Sequence, residues 1–202
     1  METPTPPVVS AASQTNSVYW IRGIVFTALF AALFVAFSWI KVPLGFTSVP
    51  ITMQTLAIML AGGLLGATYG FWSIMIVVIL SGFGLPLISG TSGLSLLLGF
   101  TGGYIWMFPI EALFIGLVSD HLFRNKKTLS TNSFFILFIG IIVFGVLLAY
   151  VGGVPWLAHK AHMSMSAALK AGCYPFLIGD TIKAVVAVFL IRTLRPLLPR
   201  FK

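Results

Sequence analysis

The chain has 202 residues, of which 58% are hydrophobic and only 8% are charged, and its mean hydropathy is +1.05. About a quarter of the residues of a soluble domain are charged, so this composition excludes a soluble globular protein and indicates an integral membrane protein. The net charge of +8 does not indicate nucleic-acid binding, because the basic residues flank apolar stretches and form no basic groove.

The chain begins with a polar, proline-rich segment, residues 1–17 (METPTPPVVSAASQTNS). This segment is too poor in apolar residues to span a bilayer and lacks the basic start of a secretory signal peptide. We therefore expect a disordered cytoplasmic tail over residues 1–17 and a single membrane domain over residues 18–202.

Six apolar stretches follow, each close to the length of about 20 residues that a helix needs to cross the hydrocarbon core. The second and third are joined by the short uncharged segment 66–70, which predicts a tight hairpin. The sequence thus predicts an all-α membrane protein of six transmembrane helices. The predicted spans are residues 20–40, 51–67, 69–88, 103–122, 133–152 and 175–194.

In the first predicted span, small residues recur at every fourth position, at Ala28, Ala32 and Ala36. Such a stripe allows another membrane helix to approach closely. The pattern alone leaves open whether that helix belongs to this chain or to a partner.

A glycine-rich segment, residues 81–104, follows the third predicted span. Its backbone N–H groups and hydroxyls such as Ser92 could hold an anion or a urea-like group, and Thr101, Gly102 and Gly103 precede a helix whose N-terminus favours negative charge. The alternative is that the glycines only allow tight turns between helices.

Two aromatic residues beside glycine or proline turns, Tyr104 and Trp156, could aim a ring into a cavity. Glu111 lies inside a span without an evident basic partner, and we expect it to be a protonated or helix-bonded carboxyl group that faces the bundle. His159 and His162 alone make a poor metal site. The sequence offers no nucleophile with a nearby base, no metal set and no phosphate-binding loop, so we predict neither an enzyme nor a resident metal or cofactor.

Asp180 and Lys183 interrupt the last apolar stretch. Each charge costs about 2.5 to 3.5 kcal/mol at membrane depth, so such residues persist mostly where they pair or contact a polar ligand. Their spacing of three places both on one helical face. They are the leading candidates for a ligand site, and the alternative is a structural ion pair that fastens the helix to its neighbours.

The distribution of basic residues predicts the orientation in the cell membrane. Cytoplasmic termini would place three basic residues in outer loops, Lys41, Lys160 and Lys170, and eight on the inner side, which satisfies the positive-inside bias. The predicted outer loops are residues 41–50, 82–102 and 153–174, so a site beneath them would open to the exterior. The eight inner residues are Arg22, Arg124, Lys126, Lys127, Arg192, Arg195, Arg200 and Lys202.

Four sequence blocks carry a resemblance to a known family. They are VPITMQTLAIMLAGGLLG (49–66), GLPLISGTSGLSLLLGFTGGY (84–104), GVPWLA (153–158) and AGCYPFLIGDTIKA (171–184), with TALFAALFVAF in the first span. The chain resembles the BioY family, the biotin-specific substrate-binding (S) components of energy-coupling factor (ECF) transporters. Two residues depart from the pattern, since Phe100 and Ile178 stand where we expect proline.

The resemblance implies a six-helix S-component fold that binds biotin from outside, together with a transmembrane coupling (T) subunit and two ATP-binding subunits. It also implies that Ala28 and Ala32 contact the coupling subunit. A carboxylate at Asp180 can accept the ureido N–H groups of biotin while Lys183 donates to the ureido carbonyl. The reverse orientation, with Lys183 on the valerate carboxylate, stays open. Trp156 and Tyr104 would contribute to the walls.

In the first orientation, the valerate carboxylate needs donors near the mouth of the site. Gln54, loop N–H groups, Ser or Thr hydroxyls and an outer lysine are all possible, and the sequence does not decide among them.

Three other functions stay open at this point. The chain could be an S component for another vitamin, such as thiamin or riboflavin. It could be an autonomous secondary transporter that uses Asp180 or Glu111 as a proton site. It could also be a structural membrane protein without a ligand.

Overall fold

The computed structural model describes residues 11–124 and 128–199, with side chains described from Trp20 onward. Helices dominate this part of the chain, and a short ribbon of two antiparallel strands pairs Lys41 with Thr52 and Val42 with Ile51. The elements in chain order are α1 (Ala11–Trp39), β1 (Lys41–Val42), β2 (Ile51–Thr52), α2 (Gln54–Leu65), α3 (Ala67–Gly82), α4 (Gly93–Leu97), α5 (Gly102–Phe123), α6 (Thr131–Ile141), a π-helical segment (Ile142–Leu147), α7 (Leu148–Lys160), α8 (Met165–Gly172), α9 (Tyr174–Leu194) and a 3-10 turn (Arg195–Leu197).

Four helical segments of the described chain are long and apolar enough to cross a membrane: Trp20–Trp39, Gly102–Phe123, Thr131–Lys160 and Tyr174–Leu197. They carry large apolar side chains on their exposed faces, Leu29, Phe135 and Phe189 among them, as expected of surfaces in contact with lipid. These features define a multi-pass helical membrane protein.

Each of the six predicted spans contains a helix, but two of these helices are shorter than predicted. With 12 residues, α2 is about 18 Å long, less than the hydrocarbon core of about 30 Å, and α3 has 16 residues. The predicted hairpin between them is confirmed, because the single residue Gly66, at a φ of 85°, separates the two helices.

Three predicted irregular segments are partly helical, and one of them, the predicted outer loop 82–102, contains the short helix α4. The prediction of an irregular loop over residues 153–174 is wrong for most of these residues, since α7 continues through Pro155 to Lys160 and α8 follows. Trp156 therefore lies within a helix and not on a turn. At the start of the chain α1 begins at Ala11, so residues 11–17 of the predicted tail are helical, while residues 1–10 lie outside the described part.

The centre of the bundle is α2, which is apolar on all sides after Gln54 and Thr55 and is buried at every position except Thr55. It packs against α5, α3, α9 and α1, as expected of a helix without a polar face. Close backbone approach requires glycine at the crossings, because a Cβ on Gly62 would collide with the backbone of Ala112.

At the end of the bundle that contains Gly66, Arg195 joins the 3-10 turn to α2 and α5. Its guanidinium pairs with Asp120 and donates to the Gly63 carbonyl and to Ser119. The Asp120 carboxylate also accepts the Ala67 N–H at 2.9 Å, at the start of α3. This end of the bundle is therefore closed by polar contacts.

At the opposite end, the end of α1 and the β-ribbon both contact the segment between α3 and α5, the ribbon through Lys41, which donates to the Ser89 carbonyl. The Ser38 hydroxyl donates to the Leu87 carbonyl at 3.1 Å and accepts the Ser89 N–H at 2.9 Å. These contacts hold the connections over a cavity between the helices.

Candidate ligand-binding site

A cavity of about 260 Å³ lies at the end of the bundle that carries the β-ribbon. Side chains of α2, α5, α7 and α9 form its inner part, and the connections after α1 and α3 form its mouth. Its volume is slightly below the usual range of small-molecule sites, about 300 to 1,000 Å³. The cavity is therefore suited only to a ligand at the small end of that range.

Asp180 and Lys183 line this cavity and form an ion pair with a Nζ–Oδ1 distance of 2.9 Å. Thr55 donates to the same Oδ1 at 3.0 Å, and Tyr150 donates to Oδ2 at 2.5 Å. The sequence correctly placed both charges on one helical face, and the structure directs that face to a cavity and not to lipid.

The Lys183 ammonium is fully used within the protein. Besides Asp180 it donates to the Thr52 carbonyl at 2.6 Å and to the Thr55 hydroxyl at 3.1 Å. Three acceptors match the three N–H groups of an ammonium. A ligand acceptor must therefore share or displace one of these partners to bind Lys183.

Gln54 contributes an unused donor. Its side chain lines the cavity and is only 6% exposed, and its Oε1 accepts the Thr52 hydroxyl at 3.1 Å. Its Nε2 has no hydrogen-bond partner among the residues that the structure describes. A buried amide left unpaired costs about 1 to 3 kcal/mol, so this donor is available to a ligand acceptor.

The walls are aromatic and aliphatic. Tyr104 and Tyr150 pack edge to face with ring centroids 6.5 Å apart, and Phe108, Ile105 and Phe176 line the same space. The Tyr104 hydroxyl donates to the Gly172 carbonyl at 2.7 Å, which fixes its ring. Such walls suit an apolar ligand body.

The mouth carries one positive charge and several hydroxyls. Lys41 lines the mouth, is exposed, and donates to the Ser89 carbonyl at 3.0 Å. Ser48, Ser89 and Thr91 lie beside it. This end of the cavity can therefore receive an anionic group without the burial of an unpaired charge.

Of the nine residues predicted to bind a ligand, the structure brings five to the cavity. These are Asp180, Lys183, Gln54, Thr101 and Tyr104.

Ser92, Gly102, Gly103 and Trp156 do not line it. The Trp156 indole donates to the Gly99 carbonyl at 2.8 Å, and a Cβ on Gly103 would collide with Trp156. The absence of a side chain at Gly103 thus allows α5 to lie close to α7, and the hydrogen bond of Trp156 holds the turn at Gly99 that precedes α5.

Thr52, Thr55 and Tyr150 belong to the polar end of the cavity but were not predicted. Thr52 and Thr55 flank Gln54, and their hydroxyls at the start of an apolar helix were a usable signal. Tyr150 lies within a predicted span, and no pattern in the neighbouring sequence indicates that its hydroxyl reaches Asp180.

Glu111 and the alanine stripe lie away from the cavity. Glu111 is 0% exposed, and neither of its carboxylate oxygens has a partner among the described residues. Ala28, Ala32 and Ala36 lie on the exposed face of α1, whereas Thr27 and Phe34 point into the bundle. The described residues contain no group of three or more His, Cys, Asp or Glu that could hold a metal ion.

The fold and the cavity together define a helical membrane protein with an open-mouthed cavity between its helices, whose inner end is polar. The chain belongs to the BioY family, whose profile matches residues 9–200. A protein of Rhizobium etli named "Biotin transporter BioY" is 38% identical over 185 residues, which cover 88% of this chain and 97% of the relative. A protein of Thermotoga maritima with the same name is 33% identical over 178 residues, with 88% and 98% covered.

A solved structure has the same fold. It is described as the S-component for biotin from an ECF-type ABC transporter, and its TM-score to this chain is 0.80 at 30% sequence identity. The alignment covers 96% of this chain and 97% of that one. The resemblance to the BioY family that the sequence predicts is therefore confirmed.

Proposed function

We propose that the chain is the biotin-binding S component of an ECF-type uptake transporter. The observation that carries the proposal is the polar inner end of the cavity, where Asp180, Lys183 and Gln54 meet beside apolar walls. Relatives in the family are named as biotin transporters, a function without chemistry, which agrees with the prediction that the chain is not an enzyme.

A cyclic urea complements this polar end. Among the described residues, Asp180 Oδ1 accepts two hydrogen bonds and Oδ2 accepts one, from Tyr150, so Oδ2 keeps one position for a ligand N–H. The unpaired Gln54 Nε2 supplies a donor for the ureido carbonyl. Because the Asp180 carboxylate is itself charged, its bond to a neutral ligand N–H group is a charge-assisted hydrogen bond, which is stronger than a bond between two neutral groups.

The mouth of the cavity suits the valerate tail. Lys41 is exposed there and keeps its charge at little desolvation cost, whereas the ammonium protons of Lys183 already have protein acceptors. We therefore favour the orientation with the ureido ring at Asp180 and the carboxylate near Lys41. The reverse orientation would require Lys183 to release Thr52 or Thr55.

We further propose six membrane spans with both termini in the cytoplasm of a cell whose plasma membrane holds the transporter. The eight-to-three distribution of basic residues supports this orientation, and it places the mouth of the cavity outside. The exposed side chains of Ala28 and Ala32 on α1 are small and would allow a helix of a transmembrane coupling subunit to approach closely. This subunit would act with two ATP-binding subunits.

The ligand is tested by thermal unfolding of the purified chain with biotin, thiamin or riboflavin. A ligand that binds only the native state stabilises it by about 2.7 kcal/mol at 100 times its Kd. We expect only biotin to raise the midpoint. A larger shift with thiamin or riboflavin would assign another vitamin, and no shift with any of them would contradict a binding function.

An autonomous proton-coupled transporter is distinguished by uptake into liposomes that contain this chain alone. We expect no biotin accumulation driven by a proton gradient, because the proposed transport needs the ATP-binding subunits. Accumulation that collapses with the gradient would contradict this part of the proposal.

A further inference from the structure

The second oxygen of the Asp180 carboxylate is held by Tyr150. The Tyr150 hydroxyl donates to Oδ2 at 2.5 Å, while Oδ1 accepts from Thr55 and Lys183. A carboxylate has about four acceptor positions, and protein donors therefore fill three of them here. The direction of the last position, on Oδ2, depends on how Tyr150 holds that oxygen.

A π-helical segment brings Tyr150 to this position. Along this run the buried residues are 133, 137, 140 and 141, and then the adjacent pairs 145/146, 149/150, 153/154 and 157/158. The pairs 140/141 and 145/146, which flank or lie within Ile142–Leu147, are five residues apart, whereas the later pairs are four residues apart. One extra residue in a π turn rotates the following helix by about 100°. This rotation directs Tyr150 into the bundle.

The ring of Tyr150 has little freedom to leave Asp180. It is buried and packs edge to face against Tyr104, whose own hydroxyl is bonded to the Gly172 carbonyl. A short O–H···O⁻ bond from a fixed ring restricts the rotation of the carboxylate. Tyr150 thus adds the restraint that Thr55 and Lys183 cannot supply, since both contact the other oxygen.

We propose that Tyr150 is a positioning residue for ligand recognition, which orients the free acceptor of Asp180 Oδ2 toward the ligand N–H. This inference rests on the proposed function and adds to it a residue and a local device, the π turn. Because Tyr150 also lines the cavity, the experiment must separate an effect through Asp180 from a direct contact with the ligand.

The first test compares the biotin affinity of Tyr150→Phe with that of the wild type. The substitution keeps the ring and its packing and removes only the hydroxyl. We expect the Kd to rise about tenfold, the effect of losing one hydrogen bond to a charged group. Tyr174→Phe, an exposed tyrosine outside the cavity, is the matched control and should bind as the wild type does. A Kd of Tyr150→Phe within twofold of the wild-type value would overturn the inference.

The second test repeats Tyr150→Phe in the Asp180→Ala background, which removes both acceptor oxygens, with competition against radiolabelled biotin. If Tyr150 acts through the carboxylate, its removal there should change the Kd less than twofold. An undiminished tenfold loss would show that Tyr150 acts elsewhere and would overturn the inference.

If the Asp180→Ala background binds no biotin, Thr55→Val replaces it. The combined loss should then depart from the product of the two single losses, and losses that multiply would overturn the inference. Wild-type protein that binds no biotin would instead refute the proposed function, so the two failures are distinguishable.

Discussion

Replacing Asp180 alone and replacing it together with Lys183 should separate the structural and the binding roles of this pair. The two side chains are only 9% and 12% exposed. Removal of one partner from such a buried pair costs about 3 to 5 kcal/mol, because the other charge remains unpaired. We therefore expect Asp180→Asn to lower the ligand-free stability by about 3 kcal/mol as well as to weaken biotin binding.

The double variant Asp180→Asn/Lys183→Met removes both charges. Methionine has nearly the length of lysine, and replacement of a complete buried pair by uncharged residues is often neutral in stability. We expect this variant to regain most of the ligand-free stability. It should still lack the charge-assisted bond to the ligand N–H, worth about 1.5 to 3 kcal/mol, so its Kd should stay at least about tenfold above the wild-type value.

The assays are thermal unfolding in detergent without ligand and isothermal titration with biotin. Asp120→Asn is the matched control, since it breaks the ion pair with Arg195 at the opposite end of the bundle and should lower stability without a change in Kd. A double variant that binds biotin as tightly as the wild type would show that the pair serves only to hold α9 in place.

Three further predictions concern other parts of the molecule. Gln54→Leu should weaken biotin binding about tenfold but raise ligand-free stability, since it removes a buried unpaired donor. Isothermal titration and thermal unfolding check this, and a variant whose affinity and stability both fall would contradict it. Lys41→Met should weaken binding of biotin, measured by titration, but not of biotin amide, whose tail is uncharged, whereas equal losses would place the carboxylate elsewhere. Ala32→Trp should prevent co-purification with the coupling subunit while the Kd for biotin is unchanged, and intact assembly would move the partner surface away from this face of α1.

The fold could be predicted to the level of its apolar helices because hydropathy and helix length follow directly from the lipid environment. The limits of α5 and α9 agree with the predicted spans to within one residue. The continuation of α7 to Lys160 could not be predicted, because Gly153 and Pro155 are signals for a turn in water, while packing against α5 and α8 sustains the helix here.

The charged residues that line the cavity could be predicted from the sequence, whereas the residues whose position depends on how the helices pack could not. Asp180 and Lys183 stand out in an apolar stretch, and both line the cavity. Trp156 was predicted to face a ligand because it follows a proline, but its helix turns it toward Gly99. Tyr150 depends on the π turn, whose effect on the phase of the helix is not visible in the hydrophobic pattern.

A structure of the protein with biotin bound would show whether Asp180 and Gln54 bind the ureido ring. We predict the ureido ring within hydrogen-bond distance of Asp180 Oδ2 and Gln54 Nε2, and the valerate carboxylate toward Lys41. Biotin bound outside this cavity, or with its carboxylate on Lys183, would contradict the account.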